Sequence, residues 1–274
     1  MKEYCLQWSD RRTEYFTASD GCRLEMEVFL PQDHGQGKYH PAIVFYYGGG
    51  FARRNRDNFY RYSAFFANEG YVCINPDYRL QEETGDLKRC YQDGIEAFEA
   101  VCMMADRYEI NTSEIIVCGS SSGGSLSAHV ALKTGLPQAM VLIAPGVAWQ
   151  YRNIDYVELP GSGMKQIIDL ESVRHEDWEQ AYYLLDDHPL PRTLIIVGTG
   201  DEVCYRGSAL FQKKALEKGY DCRMVLFEGQ PHGFANWGRT ENNFGFYTSL
   251  DKMNEYLQSL KSEKENGNER KNHN

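Results

Sequence analysis

Short apolar runs alternate with longer amphipathic segments along most of the chain. Arg23–Leu30 alternates apolar and polar positions, which predicts a half-exposed antiparallel strand. Six further runs are more continuously apolar, as strands buried on both faces are. These six predicted strands are Ala42–Tyr47, Tyr71–Asn75, Glu114–Cys118, Ala139–Ala144, Thr193–Val197 and Arg223–Phe227.

The segments between the apolar runs have the spacing of helices. The predicted helices are Phe59–Glu69, Leu87–Tyr108, Gly124–Thr134, Ser208–Lys218 and Phe246–Leu260. In the second of them, apolar residues recur every three or four positions, as on the buried face of a helix. Alternating strands and helices indicate βαβ crossovers and a mostly parallel sheet with helices on both faces. We therefore predict an α/β fold, with residues 1–260 in a single domain.

Two segments depart from this alternation. Residues 146–191 form a long connection rich in aromatic and charged residues, which is typical of a lid or a small cap insertion. Residues 261–274 contain no apolar side chain, and we expect them to be a disordered polar tail.

Composition narrows the classes of function. The chain carries 29 Lys and Arg against 39 Asp and Glu, a formal charge of −10 that disfavours binding to nucleic-acid phosphates. No run approaches the ~20 apolar residues of a membrane span, and the first residues lack the apolar core of a signal peptide. We therefore expect a cytoplasmic protein that does not act on membranes. None of the eight cysteines forms a C-x-x-C pair, which favours free thiols over disulfides or a metal site.

A G-x-S-x-G motif, Gly119–Gly123, lies between a predicted strand and a predicted helix. Such a motif is typical of a sharp turn that exposes a serine nucleophile, although it also suits a helix cap or a phosphate-binding turn. Of its three serines, Ser121 has glycine at both −2 and +2, where side chains would collide with the adjoining strand and helix. Ser121 is therefore the candidate nucleophile.

A serine hydroxyl needs a base, and the base must itself be held in orientation. His232 lies in a Gly- and Pro-containing loop directly after the predicted strand Arg223–Phe227, where catalytic loop residues occur. The other histidines after Ser121 fall in a helix, in the long connection or in the polar tail. They are His129, His175, His188 and His273.

Asp201 is the candidate acid. It follows the predicted strand Thr193–Val197 after two glycines, Gly198 and Gly200, that permit a tight turn back toward the histidine. Its alternative role is a cap for the next helix. The rival acids are Glu202, Asp186 and Asp187.

A glycine run, Gly48–Gly50, follows the predicted strand Ala42–Tyr47. Glycines let backbone N–H groups approach an oxyanion closely, so we expect Gly49 and Gly50 to contribute to an oxyanion hole. The backbone N–H of Ser122, directly after the candidate nucleophile, would complete it.

Between Pro41 and Leu260 the chain resembles α/β-hydrolases of the hormone-sensitive-lipase-like, acetyl-esterase branch. The matching stretches are YYGGGF (46–51), NPDYRL (75–80), RYEINTSEIIVCGSSSGG (107–124), GTGDEV (198–203) and GQPHGF (229–234). The resemblance implies an α/β-hydrolase fold whose eight-stranded sheet carries the 146–191 insertion as a lid between strands 6 and 7. It also implies the roles already argued for Ser121, Asp201 and His232.

Three residues depart from the family pattern. Tyr47 stands where the family has the His of its HGGG loop, which leaves the internal hydrogen bonding of this loop open. Ser120 replaces the usual acidic residue, and Ser122 replaces the usual Ala. Both replacements keep their backbone N–H groups, so we expect activity to survive them.

The resemblance implies a serine carboxylic-ester hydrolase that acts through an acyl-enzyme, with no cofactor and no metal. Charged residues interrupt the 146–191 insertion, so we expect short-acyl substrates, acetyl to butyryl, with acetylated carbohydrates among the candidates. The alternatives are an aryl-formamidase, a peptidase of the same fold and a non-catalytic ligand-binding relative. The expected partner is a small-molecule ester, and a homo-oligomer stays open.

Overall fold

The computed structural model describes residues 4–7, 10–148 and 180–272, with side chains as far as residue 264. The chain divides into two compact units, Met1–His232 and Gly233–Asn274. Within the described residues, the first unit holds eight strands and six α-helices, and the second holds one α-helix. The single domain over 1–260 stays a prediction.

The strands form one mostly parallel sheet. They are β1 (Asp10–Thr17), β2 (Arg23–Leu30), β3 (His40–Tyr46), β4 (Val72–Pro76), β5 (Ile110–Ser120), β6 (Ala139–Ile143), β7 (Arg192–Gly198) and β8 (Cys222–Phe227). Their order across the sheet is β1-β2-β4-β3-β5-β6-β7-β8. β2 pairs antiparallel with β1 and β4, and every other pairing is parallel. This confirms the predicted α/β fold with an eight-stranded sheet.

Seven α-helices are described. They are α1 (Tyr60–Asn68), α2 (Gln81–Thr84), α3 (Leu87–Met103), α4 (Ser122–Thr134), α5 (Ala181–Leu184), α6 (Tyr205–Glu217) and α7 (Phe244–Asn272). Short 3-10 turns cover Arg56–Phe59 and Glu241–Asn243. None of the helices in the described part of the chain is both long enough and apolar enough to cross a bilayer.

The central strands carry the continuous apolar runs because they are covered on both faces. Every residue of β4 and of β6 is buried. Parallel strands end at the same edge of a sheet, so the segments that follow β3, β5 and β7 emerge together. Three segments therefore lie at that edge: the glycine loop with Gly48–Gly50, the serine turn with Ser121 and the acidic loop with Asp201.

All eight cysteines are free thiols, and five of them are buried. Burial raises the pKa of the Cys73 and Cys118 thiols well above its ordinary value and that of Cys222 to about 12. These thiols stay protonated and pack as small apolar groups.

The sequence pattern does not predict the first strand. β1 pairs with β2 in register from Asp10 opposite Leu30 to Thr17 opposite Arg23. Of its residues only Phe16 is buried, because β1 is an edge strand whose pairing depends on backbone hydrogen bonds. Its sequence therefore lacks the apolar alternation that reveals β2.

The polar segment 261–274 differs from the expected disordered tail, because α7 continues through it as helix to Asn272. Lys, Glu and Arg dominate this stretch, and all three have high intrinsic helix propensity. The absence of apolar residues therefore did not imply loss of helix.

The predicted lid falls largely on residues 149–179, which lie outside the described residues. The described end of the 146–191 connection contains α5. The backbone N–H of Tyr182 donates to the carbonyl of Val147 at 3.0 Å, which joins the two described ends of this connection.

Candidate active site

Ser121 occupies the sharp turn between β5 and α4. Its backbone has φ 54° and ψ −121°, a strained combination for a residue with a side chain. Its N–H donates to the carbonyl of Ile143 at 3.0 Å, and its carbonyl accepts from the N–H of Gly146 at 3.1 Å. Hydrogen bonds to the end of β6 and to the residues directly after it therefore fix the backbone of this turn. Ser121 lies at the tip of the turn and is half-buried.

The glycines on either side of Ser121 are sterically required. A Cβ on Gly119 would lie 2.1 Å from the carbonyl oxygen of Gly123. A Cβ on Gly123 would lie 2.1 Å from the carbonyl oxygen of Tyr46. This close approach of β5, α4 and β3 is the physical reason for the G-x-S-x-G pattern.

Asp201 lies just beyond the carboxyl end of β7 and is almost completely buried. Its Oδ1 accepts hydrogen bonds from the N–H groups of Val203 (3.0 Å) and Cys204 (2.9 Å). A Cβ on Gly198 would lie 2.0 Å from the carbonyl oxygen of Gln230, so this glycine lets the acidic loop approach the loop after β8. Backbone donors thus fix one carboxylate oxygen and leave Oδ2 to face the histidine.

His232 bridges the acid and the serine. Its Nδ1 lies 2.8 Å from Asp201 Oδ2, and its Nε2 lies 3.0 Å from Ser121 Oγ. With the proton on Nδ1 donated to the carboxylate, Nε2 is free to accept the serine hydroxyl proton. The arrangement can therefore take a proton from Ser121 and stabilise the resulting imidazolium.

The glycine loop lies against the start of α4. A Cβ on Gly49, which has φ +153°, would lie 2.2 Å from the carbonyl oxygen of Arg53. The N–H groups of Gly49 and Gly50 donate to Ser122 Oγ at 3.1 and 2.9 Å. The structure thus brings together all six residues singled out by the sequence, and it adds the Ser122 hydroxyl as a direct partner of the glycine amides.

Comparison with known proteins identifies the family of the chain. Residues 43–236 match the family described as having the alpha/beta hydrolase fold. The chain belongs to the α/β-hydrolase fold family. Two α/β-hydrolase superfamily proteins of Schizosaccharomyces pombe are 23% and 25% identical to it, over 75% and 78% of this chain. The matched stretches cover 66% and 70% of those proteins, so the chain spans about two thirds of their length.

Solved esterase structures have the same fold. Esterase 2 of Thermogutta terrifontis with bound propionate superposes with a TM-score of 0.77 at 24% identity, covering 91% of this chain and 94% of that one. The same esterase phosphonylated by sarin gives a TM-score of 0.78 at 23% identity, covering 94% and 98%. At this identity the likeness establishes the fold.

Tyr47 replaces the histidine expected in the glycine loop of this α/β-hydrolase. Its hydroxyl donates to Asp77 Oδ1 at 2.7 Å, and its ring stacks on Tyr78 at a centroid distance of 4.3 Å. Tyr78 in turn donates its hydroxyl to the carbonyl of Tyr47 at 2.7 Å. Burial raises the pKa of both phenols, which therefore stay neutral and serve as hydrogen-bonding groups.

Arg54 forms ion pairs with two carboxylates next to this tyrosine pair. Its guanidinium donates to Asp77 at 2.7 Å and to Glu83 at 2.8 Å. Since Asp77 also accepts from Tyr47, one carboxylate anchors both the loop and the arginine. The hydrogen bonding left open by the loss of the family histidine is thus supplied by a tyrosine and an aspartate.

The rival candidates have other environments. His129 is buried on α4 with its ring 4.6 Å from that of Tyr91, and Asp186 pairs with Lys214 at 2.7 Å. His175 lies outside the described residues. Cys204 Sγ lies within 4.8 Å of ligand atoms of Asp201 and His232, a grouping that the acid–histidine pair itself explains.

Proposed function

We propose that the chain is a serine carboxylic-ester hydrolase that acts through an acyl-enzyme. The observation that carries the proposal is the continuous chain of contacts from Ser121 Oγ through His232 to Asp201, at 3.0 and 2.8 Å. Nucleophile, base and orienting acid are the parts that acyl transfer needs.

In the first half of the reaction, Ser121 Oγ attacks the ester carbonyl carbon while His232 Nε2 takes the hydroxyl proton. The carbonyl π electrons move to oxygen, and N–H groups of Gly49, Gly50 and Ser122 stabilise that oxyanion. When the tetrahedral intermediate collapses, the bond to the alkoxy oxygen breaks and His232 returns its proton to the leaving alcohol. Ser121 then carries the acyl group.

In the second half, water attacks the acyl-enzyme carbonyl and His232 accepts one of its protons. Collapse of the second tetrahedral intermediate releases the carboxylic acid and returns the proton to Ser121 Oγ. Asp201 stays ionised throughout and holds the imidazole in orientation. No oxidant, metal or cofactor enters the balance.

We propose short-acyl esters, acetyl to butyryl, as substrates, with acetylated carbohydrates among the candidates. Esterase 2 of Thermogutta terrifontis, which has this fold, is known with bound propionate and with bound butyrate, and these short carboxylates support the proposal. Kinetic constants for p-nitrophenyl esters from acetyl to decanoyl test the proposal. A maximum of kcat/KM at two to four carbons supports it, and a monotonic rise to decanoyl contradicts it.

Covalent labelling tests the nucleophile directly. A fluorophosphonate probe followed by peptide mapping is expected to modify Ser121, and Ser121→Ala is expected to abolish both labelling and ester hydrolysis. Ser120→Ala is the matched control, because it removes the neighbouring hydroxyl of the same motif and should keep most of the activity. Labelling at another residue, or full activity in Ser121→Ala, would overturn the assignment.

A further inference from the structure

The hydroxyl of Ser122 stands where an oxyanion is expected. Oxyanion donors lie 2.7–3.1 Å from the position that the charged oxygen takes. The N–H groups of Gly49 and Gly50 donate to Ser122 Oγ at 3.1 and 2.9 Å. Both glycine amides therefore already have an acceptor within the protein.

Ser122 is well anchored in this position. Its side chain is fully buried at the first residue of α4. A hydrogen bond between Ser122 and the Tyr78 phenol opposes the rise in the pKa of Tyr78 that burial causes. Tyr78 itself donates its hydroxyl to the carbonyl of Tyr47 at 2.7 Å. The hydroxyl thus accepts a hydrogen bond from each of the two glycine amides.

We propose that the Ser122 hydroxyl is an internal occupant of the oxyanion hole, which the substrate's developing oxyanion displaces during catalysis. The inference deepens the ester-hydrolase proposal and rests on it. The side chain of Ser122 then competes with the substrate oxyanion for the N–H groups of Gly49 and Gly50. The backbone N–H of Ser122 provides a third donor to the same oxyanion. Rotation about the Cα–Cβ bond is the movement that clears the hole.

The substrate oxyanion displaces the Ser122 hydroxyl from the two glycine amides because hydrogen bonds to ionised groups are about twice as strong as neutral ones. A neutral carbonyl oxygen has no such advantage over a neutral hydroxyl. The tethered hydroxyl is also harder to displace than a water molecule, because it loses no translational freedom when it binds the amides. The side chain therefore lowers kcat/KM relative to a hole that contains only water.

Ser122→Ala tests the proposal, because it removes the competitor and keeps the backbone donor. We expect kcat/KM for p-nitrophenyl butyrate to rise about 3- to 10-fold, the factor that about one net hydrogen bond supplies. The affinity for a boronic acid, which places a tetrahedral oxygen in the hole, should rise by a similar factor. Unchanged values of kcat/KM and boronate affinity would show that the hydroxyl has no effect on the oxyanion hole. Lower values would show that the hydroxyl is itself a donor to the oxyanion. Either result would overturn the proposal.

Ser127→Ala is the matched control. Ser127 lies on the same helix and is equally buried, and its hydroxyl has no hydrogen-bond partner among the described residues. Its replacement should leave kcat/KM and boronate affinity unchanged. A rise in both variants would show a general loosening of α4 and would contradict the proposal.

A readout without turnover separates the two proposals. Phosphorylation of Ser121 by paraoxon, followed by mass spectrometry, should be about 3- to 10-fold faster in Ser122→Ala than in the wild type, for the same reason. If Ser121 reacts at equal rates in both proteins, the inference fails and the ester-hydrolase proposal stands. If Ser121 reacts in neither protein, both fail.

Discussion

Asp201 has a separate partner for each carboxylate oxygen. Oδ1 accepts from the two amides at the start of α6, and Oδ2 lies against His232. An asparagine would keep the amide contacts through its carbonyl oxygen. Its NH₂ group would then face Nδ1 of His232, so the imidazole would have to carry its proton on Nε2, where it cannot accept from Ser121.

The first prediction is that Asp201→Asn lowers kcat on the order of 10⁴-fold by imposing this tautomer. The melting temperature should change little, because the backbone contacts of the side chain survive. The measurement is kcat for p-nitrophenyl butyrate together with thermal unfolding. Glu202→Gln is the control and should keep its activity, and the opposite ranking of the two variants would require a different acid.

The sequence predicts the site residues because each occupies a position with its own local signal. Ser121, Asp201 and His232 each follow a strand, and glycines mark the close approaches around the first two. The role of Tyr47 had no such signal. Its partner Asp77 lies 30 residues away, and only the pairing of β3 with β4 brings the two together.

The Ser122 hydroxyl was also missed, although its sequence signal was present. A serine stands where the family has alanine, and the expected role of this position rests only on its backbone N–H. A side chain directly after the nucleophile, at the start of a helix facing a glycine loop, has those amides as its nearest donors. The position of the glycine loop against α4 decides this contact.

Strand and helix bounds could be predicted where burial imposes a pattern. β2 has the predicted bounds, and β6 differs from its prediction by one residue. β1 and the end of α7 could not be predicted in this way, because backbone pairing and intrinsic propensity determine them. A segment that is held only by backbone hydrogen bonds has no buried face, so its sequence shows no regular spacing of apolar residues.

The second prediction concerns the junction of β5 and α4. Gly119→Ala should destabilise the protein by about 1–3 kcal/mol through overpacking, because its Cβ would meet the carbonyl of Gly123 at 2.1 Å. Relief of this contact would move the turn that carries Ser121, so kcat/KM should fall as well. Urea unfolding and ester hydrolysis measure the two effects.

Gly135 provides the matched control at the other end of α4. It has φ +64°, and a Cβ there would meet nothing within 4 Å. Gly135→Ala should therefore cost about 1–2 kcal/mol of backbone strain with unchanged kcat/KM. Equal losses of activity in the two alanine variants would contradict a steric role for Gly119.

An ionic network joins three distant parts of the first unit. The buried carboxylate of Asp93 on α3 accepts from Arg79 at 2.8 Å and from Arg89 at 2.7 Å. Arg79, which follows β4, also pairs at 2.8 Å with Asp20 in the turn between β1 and β2. Because Asp20 lies 59 residues from Arg79 in the chain, the charges alone could not predict that the network reaches the turn between β1 and β2.

Asp20 makes the stability of this network dependent on pH. Hydrogen bonds from Arg79 and from the N–H of Cys22 lower its pKa from 3.8 to about 2. A pKa that is lower in the folded than in the unfolded chain means that the folded form binds protons less readily. Its contribution to stability is therefore complete above pH 3.8 and is lost as the pH falls toward 2.

The third prediction is that Asp20→Asn is less stable than the wild type at neutral pH and loses this difference in acid. Asparagine can still accept from Arg79, but it carries no charge and does not titrate. The free energy of unfolding in urea, measured from pH 6 to about pH 2, should converge for the two proteins between pH 3.8 and 2. Glu99→Gln on α3 is the control, because Glu99 is exposed and makes no ion pair with the described residues, so its curve should follow the wild type. A constant difference between Asp20→Asn and the wild type at every pH would show that the charge of Asp20 contributes nothing to joining the turn to α3.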